Sequence, residues 1–423
     1  MNGALRVAYE GAARFAGVLS QIAPEGRNKV LDSLAARHGL LDRYDAFARD
    51  TARDLLWMHA PSVGEGLQAK PVLDLMRERH PSLQLAYTWF SPSAREFAAG
   101  LPVDFQDALP FDSTPSMRRA LAALSPRALV FSKLDVWPTL AREAATRGTR
   151  LGLISATLAR NSTRRNGLAA ALLRDAYGWL DRVGAVSAED ADRLVSLGVP
   201  ASRVTVTGDT RFDQVWARAQ RLDREGPLLA SLASERPTLV AGSTWPADES
   251  VLLAAWQRFA RPGEARLIIA PHEPSVSHLD PIDAWAAGAG LRAARLGARD
   301  LDAADVVVVD RVGVLGDLYA LAEVAFVGGG FHSAGLHSVL EPAAFGAPVL
   351  FGPRHAASRD ARLLLDDDGA MSVSDADELV SVLETWRTSP AERERAGAAA
   401  LAVVRHGLGA AERSYALVRE LLA

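Results

Sequence analysis

The chain has 423 residues, of which 49% are hydrophobic and 23% are charged, and its formal net charge is −4. This length predicts roughly two or three domains. The slightly negative net charge argues against a nucleic-acid partner, because proteins that bind nucleic acids usually have a strong excess of basic residues. The chain contains no cysteine, which excludes disulfides, thiolate metal sites and a cysteine nucleophile.

The N-terminal segment predicts an amphipathic helix. Its apolar residues recur at spacings of three and four and form one stripe: Leu5, Ala8, Ala12, Phe15, Leu19 and Ile22. Arg6, Glu10 and Arg14 lie on another face and interrupt the apolar core that a secretory signal requires. No run of about 18 apolar residues occurs, so no membrane-spanning helix is predicted. The helix either packs on its own domain or lies on a membrane or partner surface.

Short apolar runs then alternate with helix-length segments through the first half of the chain. The predicted strands are Leu55–His59, Leu83–Thr88, Ala128–Phe131, Arg150–Ser155, Arg182–Val186 and Val204–Thr207. The predicted helices between them include Gly66–Glu78, Pro115–Leu124, Pro138–Arg147 and Ala188–Leu197. This alternation is typical of a parallel sheet with helices on both faces.

The same alternation restarts after a polar segment, Asp213–Pro237. The strands predicted there are Thr238–Ala241, Arg266–Ala270, Val306–Val309, Ala325–Val327 and Val349–Leu350. We place the domain junction between Asp213 and Gly226, with an N-terminal domain of residues 1–215 and a C-terminal domain of residues 216–423. Two Rossmann-like α/β domains in tandem are expected to bind ligands at the carboxyl ends of their strands, in a cleft.

The first candidate for chemistry is Glu65, in the segment His59-Ala-Pro-Ser-Val-Gly-Glu-Gly. A predicted strand ends at His59 and a helix follows, so Glu65 is expected at the carboxyl edge of the first sheet. A carboxylate there can take the proton of an attacking hydroxyl. Ser62 and Glu65 also have the S-x-x-E spacing of a helix capping box, which would employ Glu65 in a backbone hydrogen bond. The residues alone leave both roles open.

A second candidate is the segment from Gly328 to Pro342, G-G-G-F-H-S-A-G-L-H-S-V-L-E-P. Its glycines allow a ligand close to the backbone, and the start of the following helix could hold a phosphate. Glu341 could accept hydrogen bonds from ribose hydroxyls, or serve only as a favourable charge in the first helical turn. His337 and Glu341 are expected to share a helix face and would mimic a metal pair, but without a third ligand we predict no metal.

Two further turns follow predicted strands in the second half of the chain. One is Ala270-Pro-His-Glu-Pro, and the other is Ala241-Gly-Ser-Thr-Trp-Pro-Ala-Asp-Glu. Both lie where a nucleotide bound to the second domain would be met. Both could equally be ordinary strand-to-helix turns, with Ser243 or Asp248 as the helix cap.

Two basic residues in the first half are candidates for stabilising a leaving phosphate. Lys133 lies in S-K-L-D-V-W-P, and Arg211 lies in G-D-T-R-F-D. Each is expected near the end of a strand, where a positive charge suits a leaving group. The competing use is a structural ion pair with Asp135 or Asp213.

Taken together, these motifs resemble those of the Kdo transferases (Kdo is 3-deoxy-D-manno-oct-2-ulosonic acid), from about Gly26 to the C-terminus. The family's S-V-G-E stands at Ser62–Glu65, its acidic-Trp motif at Lys133–Pro138, and its G-x-x-[KR]-F-D motif at Gly208–Asp213. The resemblance implies a GT-B fold, in which two Rossmann-like α/β domains have parallel sheets facing a central cleft.

The family transfers Kdo from CMP-Kdo to a lipid A precursor, inverts the anomeric centre and needs no metal. The resemblance therefore implies an inverting glycosyltransferase of lipopolysaccharide biosynthesis, with CMP-Kdo as donor substrate and no cofactor. The implied partners are this donor, the lipid acceptor and the cytoplasmic face of the inner membrane, to which the chain would attach peripherally. Anionic headgroups there could attract Arg6, Arg14 and Arg27.

The resemblance also gives particular residues a role. Glu65 is the implied general base, and Lys133 and Arg211 are expected to stabilise the departing CMP, with Asp135 in support. The implied contacts to CMP and the donor lie in the second domain: Pro271, His272, Val312, Gly313, Val314, Ser338, Val339, Leu340 and Glu341. Further donor contacts are expected from three of its residues: Ser243, Thr244 and His337.

The chain departs from the family pattern at several of these positions. Many members have E-T-E-L-W-P where Lys133–Pro138 stands, Lys where Arg211 stands, P-R-H where Pro271–Glu273 stands and H-N where His337–Ser338 stands. This combination is typical of a divergent branch of the family.

Two other interpretations keep the fold and change the function. A sugar-nucleotide epimerase of GT-B architecture would release an altered sugar without an acceptor. A non-catalytic CMP-sugar or lipid binder would bind CMP without turnover.

Overall fold

A computed structural model of the chain describes residues 3–22, 24, 29–159, 167–299 and 301–423; Gly26 and Arg27 lie outside these ranges. The chain forms two compact units. The first contains Met1–Gln214 together with Gly407–Ala423, and the second contains Val215–His406.

The first unit is built on a parallel sheet. Its strands are β1 (Leu55–His59), β2 (Gln84–Trp89), β3 (Phe105–Ala108), β4 (Ala128–Ser132), β5 (Arg150–Ala156), β6 (Arg182–Ala185) and β7 (Val204–Val206). Over the described residues the sheet has seven strands in the order β3-β2-β1-β4-β5-β6-β7. All five residues of β1 are buried, as expected for a central strand covered on both faces.

Helices flank this sheet. They are α1 (Gly3–Ile22), α2 (Lys29–Ala35), α3 (Leu40–Asp45), α4 (Val63–Arg79), α5 (Arg95–Ala99), α6 (Thr114–Leu124), α7 (Pro138–Ala145), α8 (Gly167–Gly178) and α9 (Ala188–Ser196). Helix α10 (Arg211–Arg221) begins in the first unit and ends in the second.

The second unit repeats the plan. Its strands are β8 (Thr238–Thr244), β9 (Arg266–Pro271), β10 (Ala293–Arg295), β11 (Val306–Val308), β12 (Val324–Val327), β13 (Val349–Phe351) and β14 (Ala370–Ser372). They pair in parallel in the order β10-β11-β9-β8-β12-β13-β14. Its helices are α11 (Pro227–Ala230), α12 (Pro246–Phe259), α13 (Val276–Gly288), α14 (Leu315–Leu318), α15 (Leu340–Ala344), α16 (Arg359–Asp366), α17 (Ala376–Thr388) and α18 (Pro390–His406). The predicted class, two α/β units on parallel sheets, is confirmed.

The sequence analysis missed three strands, and all three lie at the edge of a sheet. They are β3, β10 and β14. Each has only three or four residues and is partly exposed. An edge strand has a neighbouring strand on one side only and is partly exposed to solvent. It therefore need not have the continuous apolar run by which the central strands are recognised.

The predicted placement of the C-terminal segment in the second domain is wrong. Helix α19 (Ala410–Leu422) belongs to the first unit, where Val418 and Leu421 are fully buried in the core. Gly152 of β5 leaves the space for this helix, because a Cβ at that position would lie 2.5 Å from the side chain of Leu421.

A hydrogen-bonding carboxylate fixes the start of α19. Asp213 accepts hydrogen bonds from the backbone N–H groups of Gly409 and Ala411 at 2.8 and 2.9 Å. Its neighbour Phe212 packs against Gly407, where a Cβ would come within 2.3 Å of the ring. The end of the G-x-x-[KR]-F-D motif therefore has a structural task that its sequence did not reveal.

Helix α1 packs on the first unit through polar contacts. Tyr9 donates a hydrogen bond to Asp112 at 2.8 Å, and Glu10 accepts one from the backbone N–H of Thr114 at 2.9 Å. Asp112 also accepts the backbone N–H groups of Thr139 and Leu140 at the start of α7. Burial raises the pKa of Asp112 to about 7.

These contacts decide which face of α1 is exposed, and that face differs from the predicted stripe. Leu5 and Leu19 are half-buried. The large apolar side chains that remain 64 to 74% exposed are Val7, Phe15, Val18 and Ile22. No helix in the described part of the chain is both long and apolar enough to cross a membrane.

Asp213→Ala should lower the free energy of unfolding of the protein by about 1 kcal/mol, because it removes the side-chain cap of α19. Chemical denaturation followed by circular dichroism measures this change. Asp213→Asn, which keeps a cap oxygen, is the matched control and should lose less. Equal stability of wild type and Asp213→Ala would contradict the capping role.

Candidate active site

The ends of neighbouring strands bring Glu65 and Lys133 together in the first unit. Glu65 lies in the first turn of α4, which follows β1, and Lys133 follows β4, the neighbour of β1. The Lys133 Nζ donates to Glu65 Oε1 at 2.9 Å. Lys133 has a positive φ of 67°, a backbone conformation that few non-glycine residues adopt. The sequence analysis expected Lys133 near a phosphate or Asp135; the structure pairs it with Glu65.

The capping box considered for Ser62 and Glu65 does not form. Ser62 is the N-cap residue of α4, but its side chain makes no capping hydrogen bond. Its hydroxyl instead donates to Glu65 Oε2. The hydroxyl of Ser132 donates to the backbone carbonyl of Glu65 at 3.0 Å and helps to fix this turn.

These contacts keep the Glu65 carboxylate ionised. Burial would raise its pKa, but the hydrogen bonds from Ser62 and Lys133 and the charge of the ammonium group outweigh burial and hold the pKa of Glu65 below its usual value. The Glu65 side chain is 16% exposed and the Lys133 side chain 43%. Glu65 is therefore an ionised and reachable carboxylate at the carboxyl edge of the sheet.

An indole and an imidazole pack beside this turn. Trp137 Nε1 donates to His59 Nε2 at 3.1 Å, and His59 Nδ1 lies 3.0 Å from the hydroxyl oxygen of Thr88. The nearest oxygen of Asp135 is 3.9 Å from His59 Nε2, beyond hydrogen-bonding distance. The acidic-Trp motif thus fixes the buried ring of His59 at the end of β1.

Arg211 is oriented by a carboxylate that the sequence analysis did not single out. Its Nε and one terminal nitrogen donate to Asp209 Oδ2 at 2.9 and 2.6 Å, so its partner is Asp209 and not Asp213. Asp209 also accepts a hydrogen bond from Gln68 of α4 at 3.3 Å. Arg211 is thereby tied to the helix that carries Glu65.

In the second unit, a buried aspartate organises the glycine-rich loop. Asp248 of α12 accepts hydrogen bonds from the backbone N–H groups of Trp245, Gly329 and Phe331 at 2.9, 2.7 and 2.9 Å. The cap role considered for Asp248 is therefore present and extends to the loop after β12. Gly329 has a φ of 90°, and a Cβ there would lie 2.1 Å from a backbone oxygen, so this position requires glycine.

Four rings stack where β8, β9 and β12 end. The ring of Trp245 lies 4.7 Å from that of His272 and 4.3 Å from that of His332, and the rings of His272 and His337 are 4.5 Å apart. Trp245 Nε1 donates to His337 Nε2 at 3.1 Å. The predicted donor contacts His272 and His337 thus belong to one ring cluster, which also contains Trp245 and His332.

Glu341 carries a carboxylate without a structural partner in the part of the chain that the structure describes: no residue there donates a hydrogen bond to it. Burial is the main influence and raises its pKa, while the guanidinium of Arg218 opposes this and the charge of Asp317 adds to it. Helix α15 begins only at Leu340, so His337 is not helical and the predicted shared face of His337 and Glu341 is wrong.

Val312, Gly313 and Val314 form a turn in which Gly313 has a positive φ of 90°. Val312 is 77% exposed in this turn. Arg218 of α10 reaches this turn, donating to Asp317 at 2.9 Å and to the carbonyl of Gly313 at 3.4 Å. After this turn the chain forms the four-residue helix α14 and then a 3₁₀ turn, Tyr319–Leu321.

The remaining predicted donor residues differ in exposure. Thr244 is fully buried and its hydroxyl donates to Glu249 at 2.7 Å, whereas Ser338 is exposed. Ser243 has a positive φ of 53°. Pro271, Val339 and Leu340 are buried, so the first can offer a ligand only backbone atoms and the other two pack in the core.

The described residues contain no group of three or more His, Asp or Glu side chains that could hold a metal ion.

Comparison with known proteins identifies the family. A family model described as 3-deoxy-D-manno-octulosonic-acid transferase (kdotransferase) matches residues 32–214. A 3-deoxy-D-manno-octulosonic acid transferase of Bordetella pertussis is 32% identical over 373 residues, which are 85% of this chain and 85% of the relative. The chain belongs to this transferase family. A relative of the same name from Haemophilus influenzae is 26% identical and covers 96% of this chain and 95% of its own.

Solved structures agree with the fold. A UDP-GlcNAc 2-epimerase from Neisseria meningitidis covers 87% of this chain and 99% of its own with a TM-score of 0.63, but it is only 12% identical. The likeness to this epimerase is one of fold, because the sequence similarity that identifies a family lies with the Kdo transferases.

The sequence analysis gave no role to four residues that help to build the sites of this Kdo transferase chain: Asp209, Arg218, Trp245 and His332. Each is separated along the chain from the residue it orients or stacks on, except Asp209. Trp245, Asp209 and His332 each lie inside a motif noted in the sequence, whereas Arg218 carried no signal.

Lys133→Met should raise the pKa of Glu65, because it removes both a hydrogen bond and a neighbouring positive charge. The acidic limb of the pH dependence of kcat/KM for the transferase reaction should then move to higher pH, since Glu65 would lose its charge at a higher pH than in wild type. Lys70→Met, which removes a lysine paired with Asp74 on the same helix, is the control and should leave the limb in place. An unmoved limb in Lys133→Met would contradict the coupling.

Proposed function

We propose that this protein transfers Kdo from CMP-Kdo to a hydroxyl of a lipid A precursor, with inversion and with Glu65 as general base. The observation that carries the proposal is the state of Glu65 in a chain of the Kdo transferase family. Its carboxylate is ionised, reachable and held by the side chains of Ser62 and Lys133, without the backbone task of a capping box.

The proposed reaction is a direct displacement. The acceptor oxygen attacks the anomeric carbon of CMP-Kdo while its proton passes to the Glu65 carboxylate. The bond between the anomeric carbon and the phosphate oxygen breaks, and CMP departs with the electron pair on the opposite face. A carboxylate must be ionised to accept this proton, and the lowered pKa of Glu65 meets that requirement at neutral pH.

The charges that act on the reacting groups come from the chain in this proposal, and no cofactor is invoked beyond the donor substrate. Arg211, oriented by Asp209, is proposed to act on the departing phosphate. Lys133 is proposed first to keep Glu65 ionised and, once Glu65 is protonated, to be available to a developing negative charge. Asp135, whose nearest oxygen lies 3.9 Å from His59 Nε2, is proposed to give catalytic support from its place beside this ring.

The donor nucleotide is proposed to bind the second unit. Glu341 would accept hydrogen bonds from ribose hydroxyls, which suits a buried carboxylate that no described residue serves with a hydrogen bond. The turn of Val312, Gly313 and Val314 exposes backbone groups for the base, and the ring cluster with Ser243 and Ser338 offers donors to the phosphate. Thr244 acts indirectly in this proposal, because its hydroxyl already donates to Glu249.

We also propose that α1 attaches the protein peripherally to the cytoplasmic face of the inner membrane, where the lipid acceptor would be reached. Four large apolar side chains of this helix are exposed, among them Phe15 and Ile22 at 66 and 74%. Exposed Arg6 and Arg14 could contact anionic headgroups, although Arg14 also pairs with Glu10 at 2.8 Å. The polar anchors Tyr9 and Glu10 hold the helix on the first unit, and these four side chains are 64 to 74% exposed.

Glu65→Gln should reduce the transfer of Kdo from CMP-Kdo to tetraacyl lipid A precursor by about a hundredfold or more, because it removes the base and keeps the shape. Binding of CMP, measured by calorimetry, should stay near wild type. Glu78→Gln, on the exposed end of the same helix, is the control. Near-normal turnover by folded Glu65→Gln would contradict the assignment, and release of an altered sugar without acceptor would favour an epimerase.

Glu341→Gln should weaken CMP binding by about tenfold or more, because a charge-assisted hydrogen bond to ribose would be replaced by a neutral one. Calorimetric titration with CMP measures the change. Glu323→Gln, which removes a carboxylate paired with Arg393 in the same unit, is the control and should bind CMP like wild type. Unchanged affinity in Glu341→Gln would show that the ribose contact is misassigned.

Val18→Glu should reduce sedimentation of the protein with anionic phospholipid vesicles at low salt, because it places a negative charge on the exposed apolar face of α1. Wild type should sediment at low salt and be released at high salt. Val195→Glu, at a partly exposed valine of α9, is the control and should sediment like wild type. If Val18→Glu and wild type bind vesicles equally, another surface reaches the membrane.

A further inference from the structure

The bond between Trp245 and His337 restricts where His337 can carry a proton. An indole N–H can only donate a hydrogen bond, so the Nε2 atom that it meets at 3.1 Å must present a lone pair. The single proton of a neutral imidazole then lies on Nδ1, and protonation of both nitrogens would break the bond to Trp245. The tautomer of His337 follows from the chemistry of its partner.

We infer that Trp245 is a positioning residue that fixes His337 as the neutral Nδ1–H tautomer, so that His337 offers this N–H as an uncharged hydrogen-bond donor to the phosphate of the donor nucleotide. This inference rests on the proposed function for its ligand. The backbone N–H of His337 donates to the carbonyl of Gly328 at 3.1 Å, which fixes the residue at the mouth of the glycine-rich loop.

The surroundings of the ring keep it neutral. His272, after β9, lies 4.5 Å away between ring centres; His332 lies in the same loop as His337; and Asp248 of α12 is the nearby carboxylate. Burial lowers the pKa of His337, His272 and His332 lower it further, and only Asp248 opposes them. Asp248 itself accepts three backbone N–H groups, so its charge is already compensated.

The Nδ1–H of His337 has no acceptor among the residues that the structure describes, and the ring is only half-buried. A donor that is held in one direction and left without an acceptor suits a bound oxygen anion better than a mobile side chain does. Trp245 itself is occupied by its stacking on His272 and His332, so it acts on the ligand through His337.

The tautomer is measured directly by long-range ¹H–¹⁵N correlation spectra of protein labelled at its nine histidines, with His337→Asn to assign the signal. Wild-type His337 should be the Nδ1–H form at pH 8. In Trp245→Phe, which keeps a ring in the stack but removes the indole N–H, Nε2 should gain the proton and His337 should titrate at higher pH. An unchanged tautomer in Trp245→Phe, or an Nε2–H form in wild type, would overturn the inference.

The matched control is Trp137→Phe, which removes the same kind of bond to His59 in the first unit. It should change the signals of His59 and leave those of His337 in place. A change at His337 in this variant would mean that the spectra report a general disturbance, and the assignment of the effect to Trp245 would fail.

The contact to phosphate is tested by CMP binding at pH 8. The amide nitrogen of Asn can replace Nδ1–H, whereas that of Gln reaches the position of Nε2, so His337→Asn should bind CMP within about threefold of wild type and His337→Gln about tenfold more weakly. Equal losses in both variants would overturn the contact. Absence of CMP binding by wild type would contradict the proposed function itself, while the tautomer, measured without ligand, would stand or fall separately.

Discussion

Aspartate carboxylates that accept backbone N–H groups are the interaction on which the loops of both units depend. The loops that leave parallel strands carry N–H groups that no neighbouring strand satisfies, and each one left unpaired in the interior costs about 1–3 kcal/mol. Asp112, Asp213 and Asp248 satisfy such groups at the starts of α7 and α19 and in the glycine-rich loop. Asp112 and Asp248 thereby hold the start of α7 and the glycine-rich loop. The turn of Glu65 is held by Ser62, Ser132 and Lys133.

Two glutamates, Glu65 and Glu341, differ from these aspartates because, in the described part of the chain, their carboxylates do not cap backbone N–H groups of a neighbouring loop. Glu65 is held mainly by Ser62 and Lys133, and no described residue donates a hydrogen bond to the Glu341 carboxylate. Their environments shift them in opposite directions: hydrogen bonds and a positive charge lower the pKa of Glu65, whereas burial raises that of Glu341. The lowered pKa of Glu65 suits a group that must be ionised to take a proton. The burial of Glu341 suits a carboxylate that receives its hydrogen bonds from the hydroxyl groups of a ligand.

Each unit also contains an indole that donates to an imidazole, Trp137 to His59 and Trp245 to His337. In both cases the pair lies at the carboxyl end of the sheet, and Nε2 of the histidine accepts the indole N–H. Their exposure differs, because His59 is fully buried and its Nδ1 faces Thr88, while His337 is half-buried. One pair therefore supports the fold around Glu65, and the other is open to a ligand.

The sequence by itself determined the fold class, most of the central strands and the family, because these depend on apolar runs, strand–helix alternation and local motifs such as Ser62–Glu65. It also placed Glu65 at the end of a strand and Glu341 in the first turn of the helix after the glycine-rich segment. Only the tertiary structure decided what each side chain contacts. Lys133 pairs with Glu65 and Arg211 with Asp209, since β1 and β4 are neighbours in the sheet and Gln68 ties Asp209 to α4.

The same limit applies to the two ends of the chain. The periodicity of α1 predicted a helix but not its rotation. The rotation is set by the hydrogen bonds that Tyr9 donates to Asp112 and Glu10 accepts from Thr114, about a hundred positions away. The sequence of α19 showed an ordinary helix, and its membership of the first unit depends on Asp213 and on the space above Gly152. Local pattern determines which elements form, whereas long-range packing and hydrogen bonding decide their partners and which atoms remain available for chemistry.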